Sequence, residues 1–205
     1  MTLRIGPLLV ALSLAVLVAC SSGPSAPDDS EYVTQLTGAR TFKDQSFAEA
    51  SDSPVPAEKR KMLLTLRYFP IEPSYSVPAV LRLSDDRPVF EMPTSSGALR
   101  KMQLVGVLEF TLLGQTRSLG AFSPDGTTRI TSLFVPFADE TTGGDTYSAG
   151  RYLDIDPTST GYYTIDFNTA YNPYCAYNAS FECPFPPPTN RMKAAVRAGE
   201  KTPGA

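Results

Sequence analysis

A mainly β fold, an antiparallel sandwich or barrel with a short N-terminal helical segment and a long Pro/Cys-rich loop, is what this 205-residue chain predicts. Three observations carry that expectation. From Leu63 onward, apolar residues recur with a period of two, as in half-buried strands. Glycine- and proline-bearing turns punctuate those stretches. No helical pattern intervenes between them, and short strands without intervening helices argue an antiparallel arrangement.

The elements follow in order. An apolar run opens after Arg4 and ends at Ala19; it is too short to span a bilayer and contains Gly6, Pro7 and Ser13. A basic end, a short apolar core and small residues before a cut predict an export signal over 1–19. Leu17-Val18-Ala19-Cys20 resembles the lipobox of bacterial lipoproteins. The resemblance implies lipidation of Cys20 with a diacylglycerol, cleavage before it, and anchoring of the exported chain to the cell membrane or outer membrane; two acyl chains suffice for stable anchoring. Residues 20–29, rich in Ser, Pro and Asp, predict a polar tether with no packed structure. A single β-rich domain is expected over 30–201, with 202–205 as a tail.

Helix is expected in residues 30–49. Ser30 suits a cap, Glu31 suits the first turn, Tyr32 and Leu36 lie four apart, and Phe42 and Phe47 continue that side imperfectly. Gly38 weakens or splits it. Ser51 to Pro56 breaks it, and Ala57 to Met62 suits one more short turn. Strand patterns run through Val77–Leu83, Lys101–Phe110 and Tyr162–Phe167, with turns at Leu113-Gly114, Pro124-Asp125-Gly126, Gly143-Gly144 and Gly161. Met192 to Arg197 is expected to supply a last strand. Residues 168–191 break this rhythm. A loop of that length in a compact domain is uncommon and often functional, and here prolines stiffen it; a rigid cap over one open end of the sheet is the plainer reading.

Composition excludes several functions. The chain carries 18 basic and 21 acidic residues, and cleavage before Cys20 removes only Arg4, leaving 17 against 21. That balance gives nucleic acid no reason to bind. Histidine is absent, which removes His-dependent serine and cysteine mechanisms and His-based zinc sites. Cys175 and Cys183, the cysteines left after Cys20, are expected to form a disulfide in an exported protein; a reduced pair is the main competitor, and two thiolates make a poor zinc set. No metal and no cofactor are expected, and the acidic run Asp139-Glu140…Asp145 fails the calcium-loop pattern.

The remaining polar residues each have a plain and a sharp reading. Asp166 sits on a strand opposite Ile165 and Phe167 and leads into a loop bearing Asn168, Tyr171 and Asn172; it is either a loop cap or a pocket acceptor. Asp139, Thr142, Tyr147 and Arg151 surround a glycine-rich turn. A hairpin would bring Asp139 to Arg151 as an ion pair that fixes the turn; alternatively Arg151 grips a ligand carboxylate or phosphate. Asn190 and Arg191 end the stiff loop and either cap its backbone or close the pocket.

Several long stretches resemble a bacterial family known as domain of unknown function 1684. They are Gly150-Arg151-Tyr152-Leu153-Asp154, the run from Asp166 to Ala176, Cys183-Pro184-Phe185-Pro186-Pro187, Asn190-Arg191, and Arg197-Ala198-Gly199-Glu200-Lys201. Lys43-Asp44, Ser53-Pro54, Tyr68-Phe69-Pro70 and Phe134 to Gly143 add to the likeness. Met192-Lys193-Ala194 departs from it, where the family usually shows Leu-Pro and an aliphatic residue. The family has no established activity, so the resemblance implies domain extent and not chemistry. The expected function is a non-catalytic, envelope-anchored module for a small polar ligand or an envelope protein. The alternatives are a structural subunit of an envelope complex, and a histidine-free hydrolase that divides acid and base roles between carboxylates such as Asp139 and Asp166.

Overall fold

The computed structural model describes residues 29–204; the signal segment, Cys20 and residues 21–28 of the tether lie outside the described residues. Seven strands form one antiparallel, curled half-barrel sheet: β1 (Ser76–Leu83), β2 (Val89–Pro93), β3 (Leu99–Leu112), β4 (Gln115–Pro124), β5 (Leu133–Phe137), β6 (Arg151–Ile155) and β7 (Tyr162–Asp166). The order across the sheet is β6-β5-β4-β3-β1-β7. The long β3 pairs its first half with β2 and its second half with β1, and a bulge at Val105 separates the two. Just past the bulge the backbones of β3 and β1 approach so closely that a Cβ on Gly106 would lie 2.3 Å from the Arg82 carbonyl oxygen. Leu113 and Gly114, at φ of 51° and 74°, close the β3–β4 hairpin as a two-residue turn with both positions left-handed.

Alternation places Val77, Ala79 and Leu81 of β1, Leu108, Phe110 and Leu112 of β3, Leu119 and Ala121 of β4, Val135 and Phe137 of β5, Leu153 of β6 and Ile165 of β7 in one buried cluster on the inner face. What fills the trough is the C-terminal segment. Met192, Ala194, Val196 and Ala198 are buried while Lys193 and Arg197 are exposed, and Met192, Val196 and Ala198 join the main core. This corrects the expectation of a last strand. The period of two reports an extended chain with one buried face, yet residues 192–197 pair in no ladder of the sheet. Their backbone is instead held by Met192 N–H to Ala138 O (2.8 Å), by Glu140 N–H to Ala194 O (3.0 Å) and by side chains described below.

Helix α1 (Ser30–Glu49) is tied to Asp166 at the end of β7, to Leu66 and Phe69, and to Asn168 and Glu200. Asp29 takes the N-cap position in place of Ser30 and accepts no side-chain cap hydrogen bond, and Gly38 sits inside the helix without splitting it. Only Phe47 is fully buried; Tyr32, Leu36, Arg40, Lys43 and Asp44 complete the inward stripe, and Phe42 points out at 71% exposure. A short 3-10 turn, Ala57–Lys59, and α2 (Arg60–Leu63) follow.

Candidate functional site

Asp139 and Arg151 meet as the hairpin pattern requires, but in the core. Their side chains are 1% exposed, and Arg151 Nη2 lies 3.2 Å from Asp139 Oδ2. Arg151 also donates to the carbonyls of Val196 (2.9 Å), Ala198 and Glu200, while Val196 N–H donates to Asp139 Oδ2 at 2.8 Å. The other carboxylate oxygen accepts from the backbone N–H and hydroxyl of Thr141 and from the hydroxyl of Thr142. Burial lowers the Arg151 pKa and the Asp139 charge opposes that shift. A guanidinium and a carboxylate thus supply the hydrogen bonds that a neighbouring strand would have given the C-terminal segment. Arg151 is turned to the core and away from any surface ligand.

Four of the other candidates, Asp166, Asn168, Asn172 and Asn190, lie in three more places. Asp166 accepts from Tyr32 Oη (2.9 and 3.0 Å) and from Asn168 N–H; Asn168, 1% exposed, reaches Glu72 on both its carbonyl and amide sides. These bonds stitch α1 and the 72–76 turn to the end of β7. Asn190, fully buried, bonds both the N–H and the C=O of Gly120 and the carbonyl of Pro136. Asn172 donates its amide to Lys201 O, and its backbone N–H reaches Glu200 Oε2 at 2.7 Å. Glu200, 2% exposed, also accepts from Tyr177 Oη and pairs with Lys43 Nζ of α1 at 2.5 Å. Arg191 is exposed. Asp139 and Asp166 therefore sit in separate networks that share no residue, and no acid–base pair joins them.

A further concavity lies on the opposite, outer face of the sheet. A cleft of about 960 Å³ runs between that face and the Pro/Cys-rich loop. On β6, Tyr152 and Asp154 line it, while the intervening Leu153 and Ile155 belong to the core. Its aromatic groups pack edge to face: Phe134 with Tyr152 (4.7 Å between centroids), Tyr152 with Tyr171 (5.8 Å), and Tyr174 with Phe181 at the lip (5.2 Å). The loop is held to the sheet by reciprocal backbone bonds between Tyr152 and Tyr171 and by Tyr152 Oη donating to Pro184 O. Burial pushes the Tyr152 and Tyr171 phenols up, so both stay protonated; the Tyr171 hydroxyl donates to Asp154 Oδ2 at 2.6 Å. Charged groups at the rim are Lys43, Arg100, Lys101, Asp154 and Glu182, and Arg100 pairs with Glu182 at 3.3 Å. Of the residues singled out in the sequence for a site, Tyr171 lines this cleft; Asp166 lines a smaller hollow of about 250 Å³ beside Asp154 and Tyr163.

The profile of a family described as protein of unknown function, DUF1684, matches residues 62–201. The chain belongs to the DUF1684 family. A solution NMR structure of an uncharacterized protein from gene locus rrnAC0354 of Haloarcula marismortui is 39% identical; the match covers 84% of this chain and 95% of that one, with a TM-score of 0.67. No curated protein matches the chain.

The DUF1684 segment contains the sheet, the loop and the C-terminal segment, and α1 precedes it. Lys43, which reaches the cleft from α1, thus lies upstream of the matched region. Cys175 and Cys183, expected as a disulfide, are free cysteines in the structure, with Cys175 N–H donating to Cys183 Sγ at 3.1 Å. Hydrogen bonds from Cys183 and Tyr147 bring the Cys175 thiol down to about 7 against the effect of burial, while its bond to Cys175 and its own burial push Cys183 up. Tyr147, beside Cys175, is pushed up to about 12 by burial and by that neighbour. Sequence reasoning missed Tyr152, Asp154, Lys43 and Glu200. For the first two the signal was present, since they alternate with Arg151 and Leu153 on a strand whose other face is core.

Proposed function

We propose that this DUF1684 protein is a non-catalytic binding module, held at the cell envelope by a lipid on Cys20, and that the aromatic cleft is its ligand seat. The cleft is the observation that carries the reading. Its volume is at the upper end of the roughly 300–1,000 Å³ usual for small-molecule sites, and charged and hydroxyl groups surround an aromatic lining that a ligand could pack on. The carboxylates best suited to hydrolysis, Asp139 and Asp166, are engaged in holding backbone and neighbouring side chains. The lipobox-like Leu17-Val18-Ala19-Cys20 supports anchoring, and among the described residues no helix is long and apolar enough to cross a membrane. In the oxidising environment of an exported protein, the adjacent thiols of Cys175 and Cys183 close as a disulfide and stiffen the loop over the cleft.

Two measurements test this. Labelled palmitate fed to expressing cells is incorporated into the full chain and lost in Cys20→Ser; equal labelling of both chains removes the anchor. In a small-molecule screen by NMR, binders shift the resonances of Tyr152, Tyr171 and Tyr174; hits that cluster elsewhere, or none, remove the cleft as the seat. An envelope protein is the second reading, favoured by Tyr174 at 46% exposure stacked on Phe181 at the lip.

A further inference from the structure

Resting on the cleft as the ligand seat, we propose that its ligand is a short, uncharged oligosaccharide. The charge pattern argues first. Four of the charged groups at the cleft already have partners: Arg100 is paired with Glu182, Lys43 with the buried Glu200 beneath it, and Asp154 accepts the Tyr171 hydroxyl. Lys101 is exposed, where water and salt screen it. A strongly anionic ligand would meet the carboxylates of Asp154 and Glu182, and a cationic one would meet Lys43, Arg100 and Lys101. Neither sign is favoured over the whole cleft.

These pairings leave hydrogen-bonding capacity unused. A carboxylate accepts at about four lone-pair positions, a guanidinium carries five N–H donors and an ammonium three. The rim carries both donors and acceptors, which suits a ligand whose every polar group both donates and accepts. Hydroxyl groups on adjacent carbons do this. The end of β4 and the segment after it add four hydroxyls, Ser123, Thr127, Thr131 and Ser132. Among them the Ser123 Oγ is buried without a hydrogen-bond partner. A purely aliphatic ligand would bury these groups and return nothing to them.

The floor supplies the other half of sugar recognition. Phe134, Tyr152 and Tyr171 present ring carbon to the cleft, and Tyr174 and Phe181 continue that surface to the lip. A pyranose has an apolar face of C–H groups and an equatorial belt of hydroxyls. The first packs on the aromatic floor while the second reaches the rim charges and those four hydroxyls.

The experiment uses the full chain carrying Cys20→Ser, which removes lipid attachment and leaves the cleft untouched. Chitobiose and maltotriose are the sugar probes, and anilinonaphthalene sulfonate is an aromatic anion for comparison; calorimetry gives affinity and tyrosine resonances give location. The expected result is binding of at least one sugar with shifts at Tyr152, Tyr171 and Tyr174. Affinity falls about tenfold in Tyr174→Ala and in Arg100→Met, a change easily resolved by calorimetry, with melting temperature nearly unchanged. Sugar binding that shifts other residues and ignores both substitutions overturns the proposal. If the sulfonate alone shifts the cleft tyrosines, the cleft remains a ligand seat and the sugar assignment is overturned. If neither probe shifts them, both are overturned.

Discussion

The two faces of β6 put the same sequence to opposite uses. Arg151 points into the trough and is saturated by Asp139 and three backbone carbonyls at 1% exposure; Tyr152, the next residue, forms the floor of an open cleft. Inside, polar groups replace a missing strand and leave no room for a ligand. Outside, aromatic rings and rim charges retain unused contact surface. Charge at a strand position is therefore informative only once its face is known: the guanidinium that looked best suited to grip an anion is the one most completely engaged in holding the chain together.

Substitutions can break or sharpen this contrast. The largest effect is expected for Arg151→Met, which leaves the Asp139 carboxylate buried without its ion-pair partner and the Val196 and Ala198 carbonyls without their donors; about 3–5 kcal/mol of stability is lost, read by urea unfolding. A cost near zero would mean that the inner face is not the structural one. Asn190→Ala strands three buried backbone groups of Gly120 and Pro136, and a loss of about 3 kcal/mol is expected in the same assay. Tyr32→Phe removes the hydroxyl that ties α1 to Asp166 and Asn168, costing about 1 kcal/mol; hydrogen exchange should quicken in α1 and stay unchanged in β3 and β4. In the reduced protein, iodoacetamide should modify Cys175 with a midpoint near pH 7 and spare Cys183. The sign follows from the shift: Cys175 is more acidic folded than unfolded, so its thiolate stabilises the fold fully above the ordinary thiol range, and this contribution fades as pH falls through about 7. A midpoint in the ordinary thiol range would remove the Cys183 and Tyr147 hydrogen bonds as its cause. The smallest stability effect belongs to the outer face, where Tyr174→Ala is expected to cost about 1 kcal/mol or less. A loss as large as that of Arg151→Met would erase the distinction between the faces.

Much of the fold was legible because alternation and turn chemistry are local. The extents of α1, β1, β3 and β7 follow from the residue pattern, and Leu113-Gly114 marks its hairpin. The C-terminal segment shows where local reading ends. Residues 192–198 alternate as a strand does, but whether an extended chain enters a ladder depends on which donors and acceptors face it, and here these include the Arg151 guanidinium as donor and the Asp139 carboxylate as acceptor, from distant positions. The site was less legible for the same reason. Asp166 and Asn168 are polar loop residues in the sequence, and only the docked Tyr32 and Glu72 show them to be stitches. Lys43 and Glu200 lie 157 residues apart, and no local pattern links them. The cleft joins side chains from α1, β3 to β6 and the loop, so it exists only after the chain has folded.

Filling the half-barrel with residues 192–200 also sets a clock on biosynthesis. Every strand is made before the segment that completes its core. Leu108, Leu119, Val135 and Ile165 line a trough that stays open until residues 192–200 arrive to fill it. During that interval all seven strands exist and the apolar interior remains wet. A chain cut before Met192 would stay in that condition indefinitely, a complete sheet without the piece that seals it.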